Sequence, residues 1–121
     1  MAYTRRSATS ERSIREIRTA LRDSGRIATT SGYGPRFLHS TGQLHKGGPK
    51  TGLFIQVVQQ DTKDAPIPGE PYTFSTLKQA QALGDLESLR SRRYPVVRVT
   101  LGRSTGAGWK SLVEAVRSAT R

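Results

Sequence analysis

The stretch GPRFLHSTGQLHKGGPKTG, from Gly34 to Gly52, holds both histidines of the chain, His39 and His45, beside Arg36 and Lys46, and contains no carboxylate. Imidazole titrates near neutrality, so it can both give and take a proton at working pH. Arg36 and Lys46 bring positive charge for a negative group, and the backbone amides around Ser40, Thr41, Gly47 and Gly48 add uncharged donors. The mixture points to acid–base chemistry on an anionic ligand. A surface that grips nucleic acid would draw on the same residue types. Plainer roles exist for each: His39 can satisfy a buried carbonyl, Lys46 can sit in water, and Ser40 and Thr41 can cap a short helix.

Several named chemistries fail on spacing. GYGPRF has G-x-G but lacks the third glycine of a dinucleotide fingerprint. Gly42 and Gly47 have the spacing of a P-loop, yet Gly48 and Pro49 follow where Lys and Ser belong. His39 and His45 lie six apart with no carboxylate between them, poor company for a metal. The chain has no cysteine, which excludes disulfides, thiolate zinc sites and thiol nucleophiles. No cofactor is called for by these residues.

At 121 residues the chain fits one domain with a modest core, since its hydrophobic content is 34% and it carries 12 glycines and 6 prolines. Twenty Lys and Arg against nine Asp and Glu give a net charge of +11, a field that attracts polyanions. No apolar segment follows the first arginines, and the longest apolar run, GLFIQVV, is too short to span a bilayer. The expectation is a soluble, cytoplasmic protein.

The elements that must position the glycine-rich segment can be read in turn. Residues 1–9 read as a basic, frayed tail, and residues 10–121 as a single domain. SERSIREIRTALRDSG places Ile14, Ile17, Ala20 and Leu21 on one helical face, with Ser10 or Ser13 as cap and Gly25 as stop. Its opposite face carries Arg12, Arg15, Arg18 and Arg22. RIATTSG reads as a strand, GLFIQVV as the best buried strand, and DTKDAPIPGEPY as a proline-rich loop. TFSTLKQAQALGDLESLRSRR predicts a helix with Leu77, Ala80, Leu83, Leu86 and Leu89 inward, and with Gly84 marking a bend or a close packing contact. YPVVRVTL reads as a second buried strand, and GAGWKSLVEAVRSATR as a closing helix through Trp109, Leu112, Val113 and Val116. Strands separated by helices imply an α/β fold, a single small layered domain with a mostly parallel three-stranded sheet flanked by helices. Ligands sit at the carboxyl ends of strands in such sheets, and the glycine-rich segment begins where the first expected strand ends.

GYGPRFLHSTGQLHKGGPKTGLFIQV, followed by PIPGEPYTFSTLKQAQALGDLESL and VVRVTL, resembles the C-terminal portion of a group of bacterial glucose-6-phosphate isomerases. That group includes the isomerase half of fused transaldolase–isomerase proteins. The resemblance spans roughly residues 14–117, and Pro35 to Pro49 is its specific part. It implies a histidine that assists sugar ring opening, filled by His39 or His45, with Gly42 and Gln43 beside them in the sugar-phosphate site. The family moves the proton between neighbouring carbons with a glutamate well upstream, and holds the phosphate largely through Ser and Thr of an earlier lobe. Neither region is present here, and Glu11, Glu16 and Glu70 have no claim to be that base. The resemblance therefore implies a sugar-phosphate-binding module, incomplete as an enzyme alone, with a partner chain supplying the missing lobes.

The charge supports a second expectation, a fold recruited to bind RNA or another polyanion through Arg5, Arg6, Arg12, Arg15, Arg18, Arg22, Lys46 and Lys50. Against it, Tyr33, Phe37 and Tyr72 are the only stacking candidates near the segment, and no nucleic-acid-binding module is recognisable. A third expectation is a structural partner whose basic face docks on an acidic protein or ribonucleoprotein surface.

Overall fold

A computed structural model describes residues 1–36 and 45–121. The sheet has three parallel strands in the order β1 (Ala2–Tyr3), β2 (Phe54–Val58), β3 (Val96–Thr100), so β2 is central. Its register pairs Ala2 with Val57 and Tyr3 with Val58 on one side, and Val57 with Val99 on the other. Three long helices flank it: α1 (Ala8–Gly25), α2 (Phe74–Ser91) and α3 (Thr105–Ala119). The small α/β layered architecture expected from the sequence is present.

Strand alternation divides β2 between two cores. Val57 meets Ile17 of α1, Leu101, and Trp109 and Val113 of α3 on one face, with Ile14, Leu21, Leu112 and Val116 around them. Val58 meets Tyr3 and Ala82 of α2 on the other face. Gln56 also points to this second face, fully buried, where its Nε2 donates to the Ala82 carbonyl at 2.7 Å.

The first strand is not where the sequence pattern puts it. Residues 27–32 form no strand, because only Gly32 to Gly34 reach the sheet, through a single parallel bridge between Tyr33 and Ala2. The real first strand lies inside the expected tail. The Met1 carbonyl accepts from Val57 N–H at 2.8 Å, and Tyr3 is completely buried. Two residues offer too short a ladder to hold a further full strand, which is why the Tyr33 segment makes a bridge and no more. The tail also supplies the helix start. Ser7, not Ser10 or Ser13, is the cap of α1, and Ser7 and Ser10 close a reciprocal box at the first turn.

Counting the Tyr33 bridge, the chain runs outward from β1 to Tyr33 and then back past β1 to β2. The connections from β1 and β2 diverge, which makes the gap at their carboxyl ends a topological switch point. That α1 and α2 lie on opposite faces is what right-handed crossovers in opposite directions require.

Two further departures concern exposure. Helix α2 turns Ala82, Asp85, Leu86 and Leu89 inward, while Leu83 is 46% exposed and Ala80 faces solvent, so its buried stripe is rotated from the all-apolar one. Gly84 meets nothing within 4 Å, so no close packing contact explains it. Strand β3 is an edge, and Val97 is 53% exposed rather than buried. Among the described residues, no helix is long and apolar enough to cross a membrane.

Candidate functional site

The glycine-rich segment is fastened at opposite ends of the sheet. Its first residues lie at the carboxyl end, where Gly34 N–H donates to the Ala2 carbonyl at 2.9 Å. A Cβ at Gly34 would stand 2.5 Å from the Tyr3 ring, so only glycine allows the backbone this close. Arg36 follows at the exposed rim. His39, Ser40, Thr41 and Gln43 lie outside the described residues, as does Phe37.

The segment re-enters at the amino end of the sheet. His45, Lys46 and Gly47 are helical. The His45 ring packs edge-on to Phe54, with centroids 5.3 Å apart, and Phe54 packs edge-on to Tyr94 at 5.4 Å. Tyr94 Oη donates to the Gly48 carbonyl at 3.0 Å, and the Arg92 guanidinium donates to the Lys46 carbonyl. Phe54 begins β2 and Tyr94 precedes β3, so these contacts fix residues 45–48 at the start of the strands. Among the described residues no contact joins Arg36 to Lys46, and the ammonium of Lys46 is held by Asp85.

Lys46 is also occupied. Its ammonium pairs with Oδ1 of Asp85, a carboxylate only 2% exposed, while Tyr3 Oη donates to Oδ2 of the same residue at 2.6 Å. Each oxygen of the buried carboxylate thus has a partner, the condition under which a buried charge is tolerable. The sequence reading gives Lys46 to a ligand anion or to nucleic acid, but the fold gives its charge to Asp85. Burial, then the hydrogen bond to Asp85, pushes the Tyr3 phenol far above its usual range. His45 is shifted the other way. Desolvation chiefly, with the Met1 ammonium adding, holds its imidazole below the ordinary value, and Asp85 only partly opposes them. The result is a half-buried imidazole that is neutral at pH 7, able to accept a proton.

At the carboxyl end, Thr4, Arg6, Gly32, Tyr33, Gly34, Pro35 and Arg36 line a cavity of about 470 Å³. Arg6 Nε donates to Glu11 at 2.7 Å, and its guanidinium lies 5.7 Å from the Tyr33 ring centre. The Tyr33 hydroxyl is 2.8 Å from Ser10 Oγ. Thr4 is 9% exposed, and its hydroxyl has no hydrogen-bond partner.

The carboxylates named in the sequence reading are engaged or remote. Glu11 pairs with Arg6, and Glu16 pairs with Arg117 at 2.9 Å, both on the surface. Glu70 is exposed in the proline-rich loop. Of the basic residues, Arg12, Arg15, Arg18 and Arg22 are all exposed along α1, Arg5 precedes that helix, and Lys50 is exposed beyond Pro49. Arg18 donates to the Thr29 carbonyl and Arg22 to Asp23. Lys46 belongs to the other face of the sheet, with α2, so this set does not form one surface.

Tyr3, Thr4 and Asp85 carry much of this arrangement and escape the sequence reading. The one available signal is Asp85 itself, a carboxylate set between Ala82, Leu86 and Leu89 on a helical stripe. No family model, no curated protein and no solved structure matches the chain.

Proposed function

We propose that the chain is a sugar-phosphate-binding module of the glucose-6-phosphate isomerase kind, whose turnover needs a base supplied from outside these residues. The reading begins from the resemblance of Gly32 to Val57 and of the later segments. The observation that supports it best is the state of His45: half-buried against Phe54 and held neutral by desolvation, it is fit to take a proton from a sugar hydroxyl. His39 shares that role in the proposal, with Ser40, Thr41 and Gln43, its neighbours in sequence, as ligand-binding groups. Asp85, the buried carboxylate facing His45 electrostatically, is already shared by Lys46 and Tyr3. It is a positioning residue here, so the carbon-to-carbon proton transfer is left to a partner chain.

The test is an NMR titration of the whole chain with glucose 6-phosphate and fructose 6-phosphate, following the two imidazoles. Saturable shifts of at least one imidazole, lost in His39→Ala or His45→Ala, would support the reading. Sugar phosphates that leave both imidazoles unmoved at millimolar concentration would remove it.

Recruitment to RNA is the second reading, favoured by one observation: Arg12 and Arg15 stand exposed on α1, and neither has a carboxylate partner among the described residues. It predicts binding that falls steeply with salt and ignores both histidines.

A further inference from the structure

The fold takes Lys46 away from any ligand, which raises the question of where a phosphate would be held. We propose that the cavity at the carboxyl ends of β1 and the Tyr33 segment is a subsite for the phosphate monoester of a small ligand, gripped by Arg6, Arg36 and the Thr4 hydroxyl. The proposal rests on the sugar-phosphate reading for the ligand's class, and on separate residues for the site.

Four observations converge. The cavity lies at the carboxyl ends of β1 and the Tyr33 segment, on the side of β1 away from β2, and carboxyl ends are where parallel sheets take their ligands. Its volume, about 470 Å³, has room for a phosphorylated sugar. Two guanidiniums border it. Arg36 has no carboxylate partner among the described residues, and Arg6, which lies over the Tyr33 ring, hydrogen-bonds to Glu11 through Nε. That pair is 69% and 41% exposed, so an incoming oxyanion can replace Glu11 without disturbing the core. Finally, Thr4 stands in the cavity wall with an enclosed, unpartnered hydroxyl, a polar group that folding alone does not account for and that a rotation about its Cα–Cβ bond would turn to a ligand.

The helix end nearby does not serve as the site. Ser7 and Ser10 engage each other's amides through their side chains, which closes the first turn of α1 on itself. Planar guanidiniums suit a phosphate because each presents paired N–H donors at the spacing of two oxygens. Glu11 opposes the ligand, since it competes for Arg6 and sits beside Tyr33. Removing its charge should therefore tighten binding, an outcome a purely structural role for Arg6 does not produce.

The experiment is a calorimetric and amide-NMR titration of the full chain with inorganic phosphate, then with glucose 6-phosphate, at near-physiological salt. Saturable phosphate binding is expected, with shifts centred on Thr4 and on Tyr33 to Arg36. Arg36→Ala, an exposed change with no bearing on folding, should weaken it about tenfold, Thr4→Val severalfold, and Glu11→Gln should strengthen it severalfold. Lys110→Ala, which removes one charge on α3, should change it little. Phosphate binding indifferent to Arg36 and Glu11, or an RNA that binds through Arg12 and Arg15 while phosphate shows no saturation, would overturn the proposal. The two proposals separate cleanly. Glucose 6-phosphate binding that needs a histidine but not Arg36 sinks the subsite and leaves the sugar-phosphate reading. Binding that needs Arg36 but is no tighter than phosphate and ignores both histidines does the reverse.

Discussion

Tyr3 and Asp85, 82 residues apart in sequence, meet through a buried hydrogen bond of 2.6 Å that ties the first strand to the second face's helix. Lys46 completes the group from the glycine-rich segment. Three parts of the chain thus converge on one carboxylate, and each was set there by burial rather than by any local motif. Removing Asp85 with Ala takes the carboxylate away from a partly buried ammonium and a buried phenol. A loss of about 3 kcal/mol is expected. Tyr3→Phe keeps the ion pair and should lose about 1 kcal/mol. Urea denaturation of both variants checks the order, and equal losses would show that Lys46 draws little from Asp85.

The alkaline limb of stability follows from the same contact. The Tyr3 phenol is raised in the fold by burial and by Asp85, so its contribution is complete below the ordinary tyrosine value of about 10. It is lost as pH rises above that value, where the unfolded chain ionises and the folded one resists. Denaturant midpoints at pH 9 and pH 11 should differ less in Tyr3→Phe than in the parent chain.

On the acid side the sign reverses. His45 is depressed in the fold, so the unfolded chain binds its proton first, and stability falls as pH drops below about 6.5. Comparing midpoints at pH 7.5 and pH 5.5 avoids the carboxylate range. The parent should lose stability over that interval, and His45→Asn should lose less. An unchanged slope in the variant would contradict a desolvated His45.

Two glycines make opposite predictions. A Cβ at Gly34 would stand 2.5 Å from the Tyr3 ring, so Gly34→Ala should destabilise by about 1–3 kcal/mol through overpacking. A Cβ at Gly84, inside α2, would meet nothing within 4 Å, so Gly84→Ala should stabilise by about 0.5–1 kcal/mol. Thermal melts of the pair read both signs at once.

Much of the architecture was legible because periodicity reports burial. Ile14, Ile17 and Leu21 marked α1, Trp109 and Val113 marked α3, and the apolar run of β2 marked a central strand. The first strand was not legible. Ala2 and Tyr3 are too few to show alternation, and the basic residues after them read as a tail. The stripe of α2 was misplaced for a related reason: Asp85 is buried by virtue of Tyr3 and Lys46, partners that no helical period reveals. The glycine-rich segment stands out in the sequence by its residue types, but the sequence places only its start, at the end of a strand. Spacing alone cannot show that Gly34 packs on Tyr3 while His45 packs on Phe54.

The most direct test of a sugar-phosphate module is a paired binding titration at near-physiological salt, glucose 6-phosphate against a short mixed-sequence RNA, with the parent chain and with His39→Ala and His45→Ala. The account predicts saturable sugar-phosphate binding that a histidine substitution abolishes and that survives a moderate rise in salt. Tight RNA binding that collapses with salt and ignores both histidines, with no binding of the sugar phosphate, would contradict it.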